Sequence, residues 1–428
     1  MNRKRSRPNR FRIILLCLLV LGGAYVNRFI ISTQPSPFVS TPTPTRAPES
    51  FITEAGDLFK EGKLIQAIGA YKQAIASRPE DPTVYVALAR TQVFAGLYKE
   101  AQTSAEDALL LDGNNSMAHA VRAWALDFQG EYLEAEASIK RALELDNQNA
   151  IAHAYYVEIL VDSYFNGTGA VGAIEKAIEA SNVALALAPD KLETHRARGY
   201  VLEATGNYEE AIAEYKIAIS INGNIPDLHL ALGRNYRALG IYDQAVDEFT
   251  QADALNPEDS TPDLFISRTY ATIGEYSKAL QFADSAVTNK PTDANLRGNL
   301  GVMYYRNSYW PEAIEELNYV INGGLTKEGI QIEAVNLTPN DARTAEYYFT
   351  YALALARMNK CGEALKIAQM ILSRIPADEL AVENANEVTN RCQQNLNATP
   401  EPLPTSTEPA PVSPTETTTE ETPTPTTP

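Results

Sequence analysis

The chain has 428 residues, 45% of them hydrophobic and 21% charged, which is ample for a packed core and excludes both a wholly disordered chain and a polytopic membrane protein. Thirty-six basic side chains against 54 acidic ones leave a net charge of -18; phosphates are repelled over most of such a surface, so no nucleic-acid partner is expected. Three cysteines and four histidines are too few for a zinc or iron-sulfur framework, and neither a metal nor a cofactor is expected.

Residues 1–12 form a basic flank in which Arg3, Lys4, Arg5, Arg7, Arg10 and Arg12 meet no acidic residue. The uncharged run Ile13 to Val26 follows and, past Asn27 and Arg28, Phe29-Ile30-Ile31 extend it. As one helix, residues 13–31 would measure about 28 Å against a bilayer core of about 30 Å. The pattern predicts a transmembrane signal anchor, with the basic flank cytoplasmic and everything beyond it extracytoplasmic. A cleaved signal peptide is the alternative, but the exit Gly22-Gly23-Ala24 lacks a clean A-x-A-like site. Residues 32–50 are Pro/Thr-rich and read as a semi-extended linker.

Beyond residue 50 the chain is periodic. Gly96-x-Tyr98-x-x-Ala101 recurs as Gly130-x-Tyr132-x-x-Ala135, Gly206-x-Tyr208-x-x-Ala211, Gly240-x-Tyr242-x-x-Ala245 and Gly274-x-Tyr276-x-x-Ala279, 34 residues apart except across one insertion. Looser copies end in Ala67, Ala177, Ala313 and Ala364, making nine units. Seven residues after each of these alanines stands a second small or apolar residue, from Ala74 to Ile371, and proline often follows five residues later. Each unit reads as a helix, a tight turn at the glycine and an antiparallel helix, with the alanine small because the two backbones approach closely there. Insertions near 163–172 and 322–343 break the period, and Ile330 and Ile332 in the second suggest a short strand or hairpin.

In these residues the chain resembles the tetratricopeptide repeat family. The resemblance implies an all-α, right-handed superhelical solenoid of about nine helix-turn-helix units over residues 51–376, closed by a capping helix over 377–397. It further implies a concave groove lined by the first helices, into which the residue eleven before the marker alanine points. Here that stripe reads Arg90, Trp124, Glu158 (shifted by the first insertion), Tyr200, Arg234 and Arg268, with Arg237, Tyr305 and Arg306 nearby, and Arg, Trp and Tyr dominate interface energetics. The Lys and Asn pattern with which some members clamp a carboxylate tail is absent, because Arg196 precedes Tyr200 and Ala231 takes the next expected Asn place.

His119, His153, His195 and His229 occupy one slot in consecutive units. At a helix spacing of roughly 10 Å they cannot share a metal, so they read as half-buried packing residues. No nucleophile, base or phosphate loop accompanies the repeats, and the chain is not expected to be an enzyme. Cys361 and Cys392 lie at mirrored distances from the loop at Pro376-Ala377. Facing positions on antiparallel helices can meet the roughly 4.4 to 6.8 Å Cα separation of a disulfide. Residues 398–428 hold eleven Thr, nine Pro and five Glu and cannot form a core. The whole reads as a membrane-anchored scaffold that binds a protein or peptide partner through its groove, fitting a bacterial cell envelope. The rivals are an organelle-membrane receptor with a cytosolic solenoid and a non-catalytic subunit of an envelope enzyme complex.

Overall fold

The computed structural model describes residues 10–26, 28 and 46–397. The first nine residues of the basic flank, the end of the apolar run at Phe29-Ile30-Ile31, most of the Pro/Thr linker and the tail from Ala398 lie outside the described residues.

The helix α1 spans Arg10–Val26. It is 17 residues long and carries Arg10 and Arg12 in its first turn, so its apolar part falls short of the roughly 20 residues a crossing needs. No helix among the described residues is long and apolar enough to cross a membrane. That finding corrects the single-pass assignment, with its anchor over 13–31, its cytoplasmic amino terminus and its extracytoplasmic solenoid; Phe29-Ile30-Ile31, on which the full span depended, lie outside the described residues.

From Pro48 the chain is an all-α helical repeat solenoid in two compact units, Met1–Ile225 and Pro226–Pro428. Five helix pairs build the first unit: α2 (Pro48–Lys60) with α3 (Leu64–Ser77), α4 (Pro82–Phe94) with α5 (Tyr98–Leu111), α6 (Ser116–Asp127) with α7 (Tyr132–Leu145), α8 (Ala150–Phe165) with α9 (Ala173–Leu187), and α10 (Leu192–Ala204) with α11 (Tyr208–Ile221). The second unit has α12 (Pro226–Ala238) with α13 (Tyr242–Leu255), α14 (Thr261–Thr272) with α15 (Tyr276–Asn289), and α16 (Ala294–Arg306) with α17 (Trp310–Asn322). The hairpin β1 (Gly324–Leu325) and β2 (Gln331–Ile332) follows, then α18 (Ala342–Arg357) with α19 (Cys361–Arg374), and last α20 (Glu379–Asn397).

The local chemistry of one pair explains the rest. Asp81 caps α4 by accepting from the Thr83 amide at 3.0 Å, and Pro82 takes the first helical position, where its missing N–H costs nothing. Gly96 then turns the chain at φ 74°, a left-handed conformation that a side chain strains. The two units that lack this glycine keep the geometry regardless, with Ser308 at φ 65° and Asn359 at φ 57°. All nine marker alanines, Ala67 to Ala364, are fully buried, as are the partners seven residues on; there the paired helices are too close for anything larger. Where the neighbouring side chain is large, the facing helix gives way to glycine. A Cβ on Gly233 would stand 2.5 Å from the Phe249 ring, and one on Gly298 2.6 Å from that of Tyr347.

The first insertion lengthens α8 and folds back through the Gly169 amide, which donates to the Ser163 carbonyl at 2.7 Å. The second insertion does form a hairpin, in which Gly324 faces Ile332. Ile332 and Leu337 are buried, while the Val335 amide donates to the Val320 carbonyl at 2.8 Å and its own carbonyl accepts from Tyr348 Oη at 2.9 Å. The insertion is therefore packed into the core of the second unit.

Candidate functional site

The inner face of the first unit is filled by its own side chains. Trp124 on α6 is 1% exposed, stacks on Tyr155 of α8 at 4.2 Å, meets Phe94 edge-on at 5.0 Å and donates through Nε1 to Glu158 Oε2 at 2.7 Å. Glu158 also pairs with Arg196 of α10, whose guanidinium lies 5.3 Å from the Trp124 ring. Arg90 on α4 reaches past two first helices to α10, where its Nε donates to Glu193 Oε1 at 2.7 Å, and it also covers the Phe59 ring at 5.0 Å. Burial alone would lower the pKa of Arg90; the Glu193 carboxylate and the Tyr155 hydroxyl together more than offset burial and raise it above the ordinary guanidinium range. The turn after α11 returns to the end of α2, with Asn224 Nδ2 donating to the Lys60 carbonyl at 2.8 Å. Five repeats thus bring this unit back to its own start.

Beside that cluster lies an acid pair. Asp127 is 3% exposed and no donor among the described residues reaches either of its oxygens. Burial first, then the charges of Asp162 and Glu158, push its carboxyl well above the ordinary carboxylate range. Tyr200 donates to Asp162 Oδ1, and the neighbouring carboxylates favour the protonated form of Asp127. Among the described residues no group of three or more His, Cys, Asp and Glu side chains could hold a metal ion. His119 and His153 instead set Nε2 on the carbonyl of the turn before their own helix, that of Gly113 and of Asn147, and His195 and His229 also reach the second helix of their pair, at Glu214 and Glu248. His195 sets Nε2 on the Pro189 carbonyl at 2.8 Å and Nδ1 on Glu214 at 2.6 Å. Arg297 repeats the device in its own unit, donating to the Pro291 carbonyl and to Glu316, both at 2.8 Å.

The second unit is different. Its first helices leave an open cleft of 470 Å³ onto which Arg237, Arg268, Arg306 and Arg343 converge, with Glu346 as its one carboxylate. Arg343 Nη1 donates to Glu346 Oε2 at 2.6 Å, and Glu346 is the one carboxylate among four arginines in the lining. No hydrogen-bond partner among the described residues meets the buried Nε of Arg268; burial first, then the charge of Arg343, lowers its pKa, opposed by the Tyr347 hydroxyl, which is hydrogen-bonded to the same guanidinium. An unmet donor among like charges is costly until an anion enters. Tyr242 and Tyr276, the turn tyrosines, form part of the wall, and Asn299, fixed by its Nδ2 donating to Ser267 Oγ at 2.9 Å, forms another.

Of the nine stripe residues named from the repeat register, Arg237, Arg268 and Arg306 come together in this cleft, while Glu158 lies in the first unit's network with Trp124 and Arg196. Arg90, Trp124 and Tyr200 are engaged inside the first unit, as described. Arg234 is half-buried and outside the cleft lining. Tyr305 accepts from Arg357 Nε at 3.1 Å, next to the rim. Arg343 and Glu346 escaped the register argument because they stand 21 and 18 residues before the marker Ala364, in the first turns of α18, whereas the position eleven before it is Leu353. Cys361, at the start of α19, and Cys392, near the end of α20, are joined in a disulfide with their Cα atoms 5.5 Å apart.

Tetratricopeptide repeat family models match residues 58–125, 118–149, 168–226 and 230–294, together about half of the chain. No curated protein sequence matches it. Among solved structures it is similar to a tetratricopeptide repeat protein from Parabacteroides merdae, at 16% identity and TM-score 0.39 over 60% of this chain and 98% of that one. It is also similar to yeast Tom70, at 16% identity and TM-score 0.40 over 82% and 97%. The left-handed turns, the fully buried marker alanines and the family models agree, and the chain belongs to the tetratricopeptide repeat family.

Proposed function

We propose that the chain is a non-catalytic protein-interaction scaffold that captures a carboxylate-bearing segment of its partner in the arginine cleft of the second unit. Tetratricopeptide repeats suggest the scaffold role; the observation that carries the finer reading is the convergence of four arginines and one glutamate on an open cleft, in a chain of net charge -18. Guanidinium groups hold carboxylates with paired, charge-assisted hydrogen bonds, and an unmet Arg268 Nε is a donor waiting for such an acceptor. The groove of the first unit contributes rigidity, since its ion pairs and aromatic stack already satisfy Arg90 and Trp124.

A fluorescent hexaglutamate peptide tests the reading by anisotropy. Each charge-assisted hydrogen bond is worth about 1.5 to 3 kcal/mol, so Arg268→Gln with Arg306→Gln should weaken binding at least tenfold at low salt. Affinity unchanged by the double substitution, in protein with an unaltered circular dichroism spectrum, would show that the cleft is not the site.

A further inference from the structure

The cleft has a candidate occupant in the chain itself. Residues 398–428 contain Glu401, Glu408, Glu416, Glu420 and Glu421 and no lysine or arginine, the charge complement of a lining with four arginines. The path from the last described helix to the cleft is short. Near the end of α20, Asn395 Nδ2 donates to the Ala356 carbonyl at 3.2 Å. The next residue of α18, Arg357, donates to Tyr305 at 3.1 Å, and the residue after Tyr305 is Arg306 on the cleft wall. From Ala356 back to Glu346, at the far side, is ten residues of α18, or about 15 Å of helix. Glu401 lies four residues past Asn397, a reach of at most about 14 Å. Glu408 lies eleven past it, about 34 Å in a polyproline conformation. One of these carboxylates can serve the rim and the other the far wall.

We propose that the Glu-rich segment from Glu401 to Glu421 docks in the arginine cleft of the second unit and that a partner must displace it. This rests on the cleft being an anion site, and it adds an internal competitor to that site. The competition is graded by tether length. The tether sets a local concentration of about 1 mM, so a tail whose own dissociation constant is about a tenth of that weakens any other carboxylate ligand about tenfold.

The test uses the full chain throughout, with hexaglutamate as the probe. The variant E401Q/E408Q/E416Q/E420Q/E421Q should bind hexaglutamate about tenfold more tightly than wild type at the same ionic strength. A synthetic peptide of residues 398–428 should compete hexaglutamate off that variant, and adding Arg268→Gln and Arg306→Gln should abolish both effects. If wild type and the glutamine variant bind hexaglutamate equally, the tail proposal falls while the anion cleft stands. Tightening without competition by the free peptide also overturns it, because long-range charge alone would then account for the change. If hexaglutamate binds neither protein, the cleft reading falls together with the tail.

Discussion

Replacing Cys361 by Ala should loosen the carboxyl end of the solenoid and leave the repeats before it intact. The helix α20 has a packing partner on one side only among the described residues. Its buried face is Ala381, Ala385, Val388 and Cys392, all fully buried, so little apolar area holds it against α18 and α19. The bond between Cys361 and Cys392 closes a loop of 31 residues, and in the chain-entropy model such a closure is worth about 3.7 kcal/mol. Cys361 is the side to change because it is only half-buried; Cys392 then remains as a buried thiol that packs like a small hydrophobe. In a repeat protein the terminal element opens locally, so the observable is not a global melting temperature. Hydrogen exchange read by mass spectrometry should show the α20 amides exchanging two to three decades faster in Cys361→Ala, the equivalent of that free energy, with α16 and α18 unchanged. Reduction of wild type should reproduce the effect. Exchange in α20 within about threefold of wild type would refute the argument, and would mean that packing alone holds the helix.

The proton on Asp127 gives a prediction with a definite sign. Its folded pKa is raised, so the native first unit holds a proton that the unfolded chain releases, and stability falls as pH rises from the ordinary carboxylate range toward the raised value. Asp127→Asn keeps the shape and removes the titration; urea unfolding at pH 5 and pH 7.5 should show wild type losing stability across that interval and the variant losing less, and equal losses would reject the assignment. Gly298→Ala would place a Cβ 2.6 Å from the Tyr347 ring, which cannot easily retreat because Tyr347 Oη donates to the Asn295 carbonyl at 2.9 Å. Overpacking of this kind costs about 1 to 3 kcal/mol, measurable as a lower urea midpoint, whereas Gly56→Ala, which meets nothing within 4 Å, should not destabilise.

The repeat architecture was legible in the sequence because its determinants are local and periodic. A left-handed residue at Gly96 and a fully buried methyl at Ala101 are demanded by contacts within one helix pair, so they return every 34 residues wherever the pair returns. The hairpin around Ile332 was legible for a similar reason, since alternation of apolar residues reports on one strand at a time. The bilayer-crossing reading was not settled there, because it joined Ile13–Val26 to isoleucines beyond an Asn-Arg break, and no helix among the described residues is long and apolar enough to cross a membrane. The fate of the inner-face stripe was decided only in three dimensions. Arg90 meets Glu193 across 103 residues because small rotations between successive repeats accumulate until α10 faces α4, and no residue type records such a rotation. The same register therefore buries Arg90 and Trp124 in a satisfied network within the first unit and exposes Arg268 and Arg306 to an open cleft in the second, where the inserted hairpin before α18 brings Arg343 and Glu346 to complete the wall.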